Sequence, residues 1–240
     1  MHAWKVSSAA LAVSLSLVTA AGAYDGVDVS DGGTISGEVK FSGDPPAPAK
    51  LPVTKDNEVC GKEKTSPDLL VGSNKGIQNV VVRLSDIQKG KKLTPPATNP
   101  VFDQKGCEYN PHVLAFPAGS TIDILNSDGI LHNVHTTSTA NPSFNQAQPK
   151  FKKTIQAKIE KPEMPIKVQC DAHSWMHAWW VSEDHPYYAV TDANGAFKLA
   201  DVPPGDYQLE AWHETLGKQT QKVKVQPKQD TKVSLEMTKK

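Results

Sequence analysis

Apolar and polar residues alternate over short stretches of this chain, and they almost nowhere recur at helical spacing. The stretches 34–41, 79–84, 120–125, 164–169, 196–199, 207–211 and 221–225 read as β-strands. Several alternate strictly, as a strand does when one face is buried and the other solvated. Turn formers punctuate them, including Asp192-Ala193-Asn194-Gly195 and Pro203-Pro204-Gly205-Asp206. The pattern predicts an all-β protein built from packed sandwiches. Two Pro-rich stretches, 44–49 and 94–100, read as stiff connectors rather than independent disordered regions.

The first residues follow a different logic. Lys5 is followed by an apolar run over 6–20 that closes on Ala21-Gly22-Ala23, the small-residue pattern of a cleaved export leader. The run is short for a membrane span, and no later stretch approaches that length. A leader over 1–23 and a periplasmic or secreted mature chain, not inserted in a membrane, are therefore expected. Lys+Arg and Asp+Glu both number 26, and Arg83 is the sole arginine. This speaks against nucleic acid as a partner, because phosphate and base recognition lean on clustered arginine.

Three cysteines in an exported chain leave one over after pairing. Cys60 and Cys107 lie in polar, Gly-containing neighbourhoods typical of loops and are assigned to each other as a disulfide. Cys170 instead ends an alternating run and opens Cys170-Asp171-Ala172-His173-Ser174-Trp175-Met176. That short loop offers a thiolate, an imidazole and a thioether. A second imidazole is available at His132, just beyond another predicted strand, in Asn126-Ser127-Asp128-Gly129-Ile130-Leu131-His132-Asn133-Val134. Two His and a Cys with a weak Met is the donor set of a blue-copper site.

From about 108 to 181 the chain resembles the cupredoxins, the family of plastocyanin, amicyanin and pseudoazurin, on these two motifs and their order. The short gap between His173 and Met176 is similar to that of amicyanin. The resemblance implies one type 1 copper held by His132, Cys170, His173 and Met176, with Asn133 tying the two ligand loops together. Trp175, between two of the ligands, becomes the candidate docking residue for a redox partner. Trp179 and Trp180 alternate on the final strand, one in the core and one outside. The remaining histidines His112, His135, His177 and His213 read as surface residues, since spacing alone assembles no second metal site.

A second resemblance covers the tail. The run 188–199 and Val202-Pro203-Pro204-Gly205-Asp206-Tyr207 are similar to the closing half of a carboxypeptidase regulatory-like, prealbumin-type β-sandwich. Gly33-Thr34-Ile35-Ser36-Gly37-Glu38-Val39 fits the opening strand of that module but sits far upstream. The expected organisation is a leader over 1–23, an N-terminal β segment over 24–104 and a cupredoxin Greek-key sandwich over 105–183. A prealbumin-like segment over 184–240 completes it. Either the copper domain is inserted into the second sandwich, or the N-terminal strands complete the copper domain in tandem.

The function expected from these features is one-electron transfer between exported partners such as a cytochrome or a dehydrogenase, without catalysis. A copper carrier or store, or a copper enzyme with a second His-based site, is the alternative.

Overall fold

Alternation in sequence becomes alternation in burial. In the strand Thr154–Ile159 every second side chain is buried, and Asp230–Met237 follows the same rule from Val233 onward. The computed structural model describes residues 23–239 and contains twenty strands and one four-residue helix, Asn57–Cys60, among them. The predicted leader lies outside the described residues except for Ala23. No helix among the described residues is long and apolar enough to cross a membrane.

Two sandwiches form around separate cores. In the first, a four-stranded sheet runs Thr154–Ile159, Ser120–Asn126, Val101–Gln104 and Tyr109–Asn110. It faces a five-stranded sheet ordered Asn145–Gln148, His132–Thr137, Glu163–Gln169, His177–Glu183 and Val113–Pro117. Between them Trp180 is fully buried, with its ring edge-on to Phe102 at 5.2 Å between centroids. Such pairs add about 0.5–1.5 kcal/mol beyond their buried area. Trp179, its neighbour, points out of this core and meets Trp212 of the other sandwich at 5.4 Å. The expected alternation of the two indoles is present.

The second sandwich packs the sheet Tyr188–Val190, Val81–Leu84, Gly205–His213, Gly217–Val225 against Ala196–Val202, Gly33–Phe41, Asp230–Met237. The strand Gly33–Phe41 pairs antiparallel with Ala196–Val202 and parallel with Asp230–Met237. Ile35, Val39 and Phe41 accordingly share one core with Phe197, Leu199, Leu209 and Ala211. That is the contact set of an insertion, in which strands on both sides of the first sandwich close the second. The Asp192–Gly195 turn locks this pairing. The Asp192 carboxylate accepts from the backbone N–H groups of Asn194 and Ala196, and the Gly195 carbonyl accepts from Val39 N–H at 2.8 Å. Gly195 has φ +77°, and a Cβ there would lie 2.4 Å from the Val39 carbonyl oxygen, so only glycine fits.

The expected N-terminal segment 24–104 is not one unit. Gly33–Phe41 and Val81–Leu84 serve the second core, while Val53, Cys60 and Phe102 are buried in the first. The first sandwich therefore draws on residues well before 105. The reason is covalent as well as apolar: Cys60 is bonded to Cys107, with Cα atoms 5.2 Å apart, as assigned. The sandwiches meet through Val81, Val113 and Val181. Beside them Arg83 is held between Glu183 and Glu210.

Candidate metal centre

The four candidate ligands lie at one end of the first sandwich because adjacent strands of the five-stranded sheet end or begin there. His132 opens the strand His132–Thr137. Cys170 follows Glu163–Gln169, and His177–Glu183 begins directly after Met176. The 170–176 loop is closed by Cys170 N–H donating to the Met176 carbonyl at 3.1 Å and Met176 N–H to the His173 carbonyl at 3.0 Å. The loop before His132 is held by Asn126, whose side-chain amide donates to the carbonyls of Ile130 and Gln148 at 2.8 and 2.9 Å.

The donor atoms converge. His132 Nδ1 and His173 Nδ1 are 3.1 Å apart, and Cys170 Sγ is 3.7 Å from His173 Nδ1. One ligand atom from each of these three residues lies within 4.8 Å of the others. Met176 is buried in the same cluster. Each imidazole is anchored from behind. His132 Nε2 meets Asp128 at 2.8 Å, and His173 Nε2 meets Asp56 at 2.9 Å. Asp128 is itself held by the backbone N–H groups of Gly106 and Cys107. A carboxylate behind Nε2 fixes the tautomer and turns Nδ1 inward as a lone pair.

This geometry fits a cation. With both Nε2 atoms donating outward, two neutral rings present bare lone pairs to each other across 3.1 Å, which is repulsive unless positive charge sits between them. Burial holds His132 below the ordinary imidazole pKa, outweighing the opposing pull of Asp128, and so favours the neutral ligand form. Burial also pushes the Cys170 thiol up, against hydrogen bonds from the backbone at Asn133, Ala172 and His173. A bound metal ion would supply the countercharge that burial denies the thiolate. Asn133 spans the two ligand loops as the resemblance implied: its side-chain oxygen accepts from Asp171 N–H at 2.7 Å.

Trp175 requires correction. It is 7% exposed, packs 4.9 Å from the His173 ring, and donates its indole N–H to the Cys107 carbonyl at 3.2 Å. It cannot serve as an exposed docking residue. His173 is fully buried as well. The segment carrying Asp56 and the helix Asn57–Cys60 lies over it, pinned by the disulfide. Asp128 and Asp56 were missed from sequence. Asp128 was discoverable four residues before His132, and Asp56 through the Cys60–Cys107 pairing that carries its loop to the site.

The extra histidines also differ from expectation. His135 does face away from the site, bound to Asp171 at 3.0 Å. His213 is buried, however, and burial lowers its pKa to about 4. His112 and His177 are largely covered and meet at Glu214.

Comparison with known proteins divides along the same lines. Residues 180–238 match the family model of the carboxypeptidase regulatory-like domain. The second sandwich thus extends beyond the matched residues to the upstream strands Gly33–Phe41 and Val81–Leu84. No curated protein matches the chain. Among solved structures, a Cu-containing nitrite reductase from Thermus scotoductus SA-01 is 19% identical over 40% of this chain and 24% of its own, with a TM-score of 0.34. The chain therefore spans about a quarter of that enzyme. A mutant of amicyanin, as Cu(I), is 18% identical over 35% of this chain and 82% of its own, at 0.32. A purple cupredoxin from Nitrosopumilus maritimus is 18% identical over 35% of this chain and 100% of its own, at 0.31.

Proposed function

We propose that this protein is exported and carries single electrons on one type 1 copper held by His132, Cys170, His173 and Met176. The observation that carries the reading is the convergence of two inward Nδ1 atoms and one buried thiol, each ring braced by a carboxylate. Copper bound there would supply one-electron chemistry between Cu(II) and Cu(I). The chain's part is to hold the donors still. Asp128 and Asp56 prevent the rings from turning, Asn133 joins the loops, and the surrounding core excludes water. Four protein donors in a buried site leave little room for a substrate, so the site acts as a carrier and not as a catalyst. Export agrees with the Cys60–Cys107 disulfide, a bond that persists in oxidising compartments.

Redox partners of the cytochrome or dehydrogenase kind exchange electrons at this end of the sandwich. The path from His173 to solvent runs through the Asp56 cover instead of a bare imidazole edge. On the other side, Leu131 precedes His132 and is 51% exposed, an apolar contact that Trp175 cannot provide.

The test is spectroscopic. Added Cu(II) should produce an intense thiolate charge-transfer colour at one equivalent, and reductant should bleach it reversibly. Met176→Gln should keep the colour and lower the reduction potential, because an oxygen donor favours Cu(II) over Cu(I). A colourless Cu(II) complex sinks the proposal.

Asp56→Ala should weaken copper binding by about 10–100-fold, the usual cost of losing the group behind a metal-bound histidine. Competition with a chelator of known affinity measures it. Affinity equal to the parent's would show that the cover does not orient His173.

A further inference from the structure

A second convergence of metal-type donors lies between the two sandwiches. His112 immediately precedes the strand Val113–Pro117, and His177 opens the parallel neighbour His177–Glu183. Glu214 comes from the turn that follows Gly205–His213 in the other sandwich. Asp68 comes from the loop after Glu63–Thr65. His112 Nε2 contacts one oxygen of Glu214, and His177 Nε2 lies 3.3 Å from the other. His177 Nε2 is also 2.9 Å from Asp68 Oδ1. The two rings stand at 87° to each other, 5.2 Å apart. A donor atom from each of His112, His177 and Glu214 lies within 4.8 Å of the other two.

An ion-pair latch between the sandwiches explains this cluster only in part. His177 Nε2 carries at most one proton, yet it faces two carboxylates and cannot serve both. Asp68 Oδ1 is buried and accepts no properly directed hydrogen bond. Glu214 is hydrogen-bonded by both His112 and His177, one ring at each carboxylate oxygen. Trp179 adds a third, donating its indole N–H to Glu214 at 2.7 Å. A cation would satisfy the orphaned Asp68 oxygen and the shared carboxylate together.

We infer that His112, His177, Glu214 and Asp68 form a second metal site for a divalent first-row transition ion. Two imidazoles with carboxylates suit zinc and its neighbours, whereas all-oxygen sets suit magnesium or calcium. His112 and His177 also line a cleft of about 470 Å³ with Tyr109, Trp175 and Met176. The ion would therefore have a face open to a water or a small ligand. It would be attached one residue along the chain from the proposed copper ligand Met176. The inference stands on this cluster alone and does not require the electron-carrier reading.

The full chain, first given one equivalent of Cu(I) to occupy the thiolate site, would be titrated with Zn(II) by calorimetry. One zinc per chain should bind. In Glu214→Gln and in His112→Gln, zinc affinity should fall by about tenfold or more, since loss even of a group behind a ligand costs that much. Thermal unfolding separates a site from a latch. Zinc should raise the midpoint of the parent by more than that of either variant at the same concentration. A parent that binds no zinc, or variants that bind it as tightly as the parent, would overturn the inference. So would a parent midpoint that zinc does not shift.

Discussion

Replacing Cys170 by serine should abolish the charge-transfer colour of the Cu(II)-loaded protein completely. Cys170 is the one free cysteine among the described residues, because Cys60 and Cys107 are bonded to each other. No other thiolate is available to substitute. Serine is close to isosteric, and the backbone N–H groups at Asn133, Ala172 and His173 can hydrogen-bond an oxygen as they do the sulfur. The strand ends and the 170–176 loop should therefore persist, so loss of colour would report the ligand and not the fold. Circular dichroism and the thermal midpoint provide that control. Residual Cu(II) binding through His132 and His173 is expected, with a weak spectrum. An undiminished intense band in Cys170→Ser would remove the thiolate from the site.

The second large effect concerns the cover. Removing the disulfide with Cys60→Ser and Cys107→Ser should cost about 4 kcal/mol for a loop of 47 residues in the chain-entropy account. Chemical denaturation of the domain bearing the site would measure it. The effect should also reach the metal. Helix Asn57–Cys60 directly follows Asp56, the partner of His173, and Cys107 N–H helps hold Asp128, the partner of His132. A single bond thus braces both rings. The double variant should release copper to a chelator faster than the parent does. Unchanged stability would mean that the segment from Val53 to Cys60 docks without its covalent tie.

Several features were legible from the chain alone, for identifiable reasons. Strand character came through because a side chain on a half-buried strand faces the core at every second residue, and the composition of 120–125 or 164–169 records it. One sheet end was legible through Cys170, placed where the alternating run 164–169 stops, whereas His132 opens a strand, His132–Thr137, that the pattern did not show. Even so, observed strands extend past the expected ones. Ala196–Val202 and Gly205–His213 continue beyond 199 and 211, since pairing partners supply hydrogen bonds that local pattern does not encode. At the start of 79–84 the opposite holds: Asn79 has φ +66°, and the strand begins only at Val81.

By itself the sequence determined the β class, the pairing of Cys60 with Cys107, and the order and type of the thiolate, imidazole and thioether donors. The class and the donors depend on residue type and on neighbours within a few positions, and the pairing across 47 positions followed from the loop-like surroundings of Cys60 and Cys107 and the different setting of Cys170. Only the tertiary structure decided what stands behind the donors and what covers them. Asp56 meets His173 across 117 positions, and Glu214 meets His112 across 102. The same distant contacts turned Trp175 from an exposed docking residue into a buried wall, and drew His112 and His177 from the surface into a cluster. Periodicity states which face of its own strand a side chain occupies. Which remote loop arrives at that face depends on sheet order and register, and these are set by the packing of the whole chain.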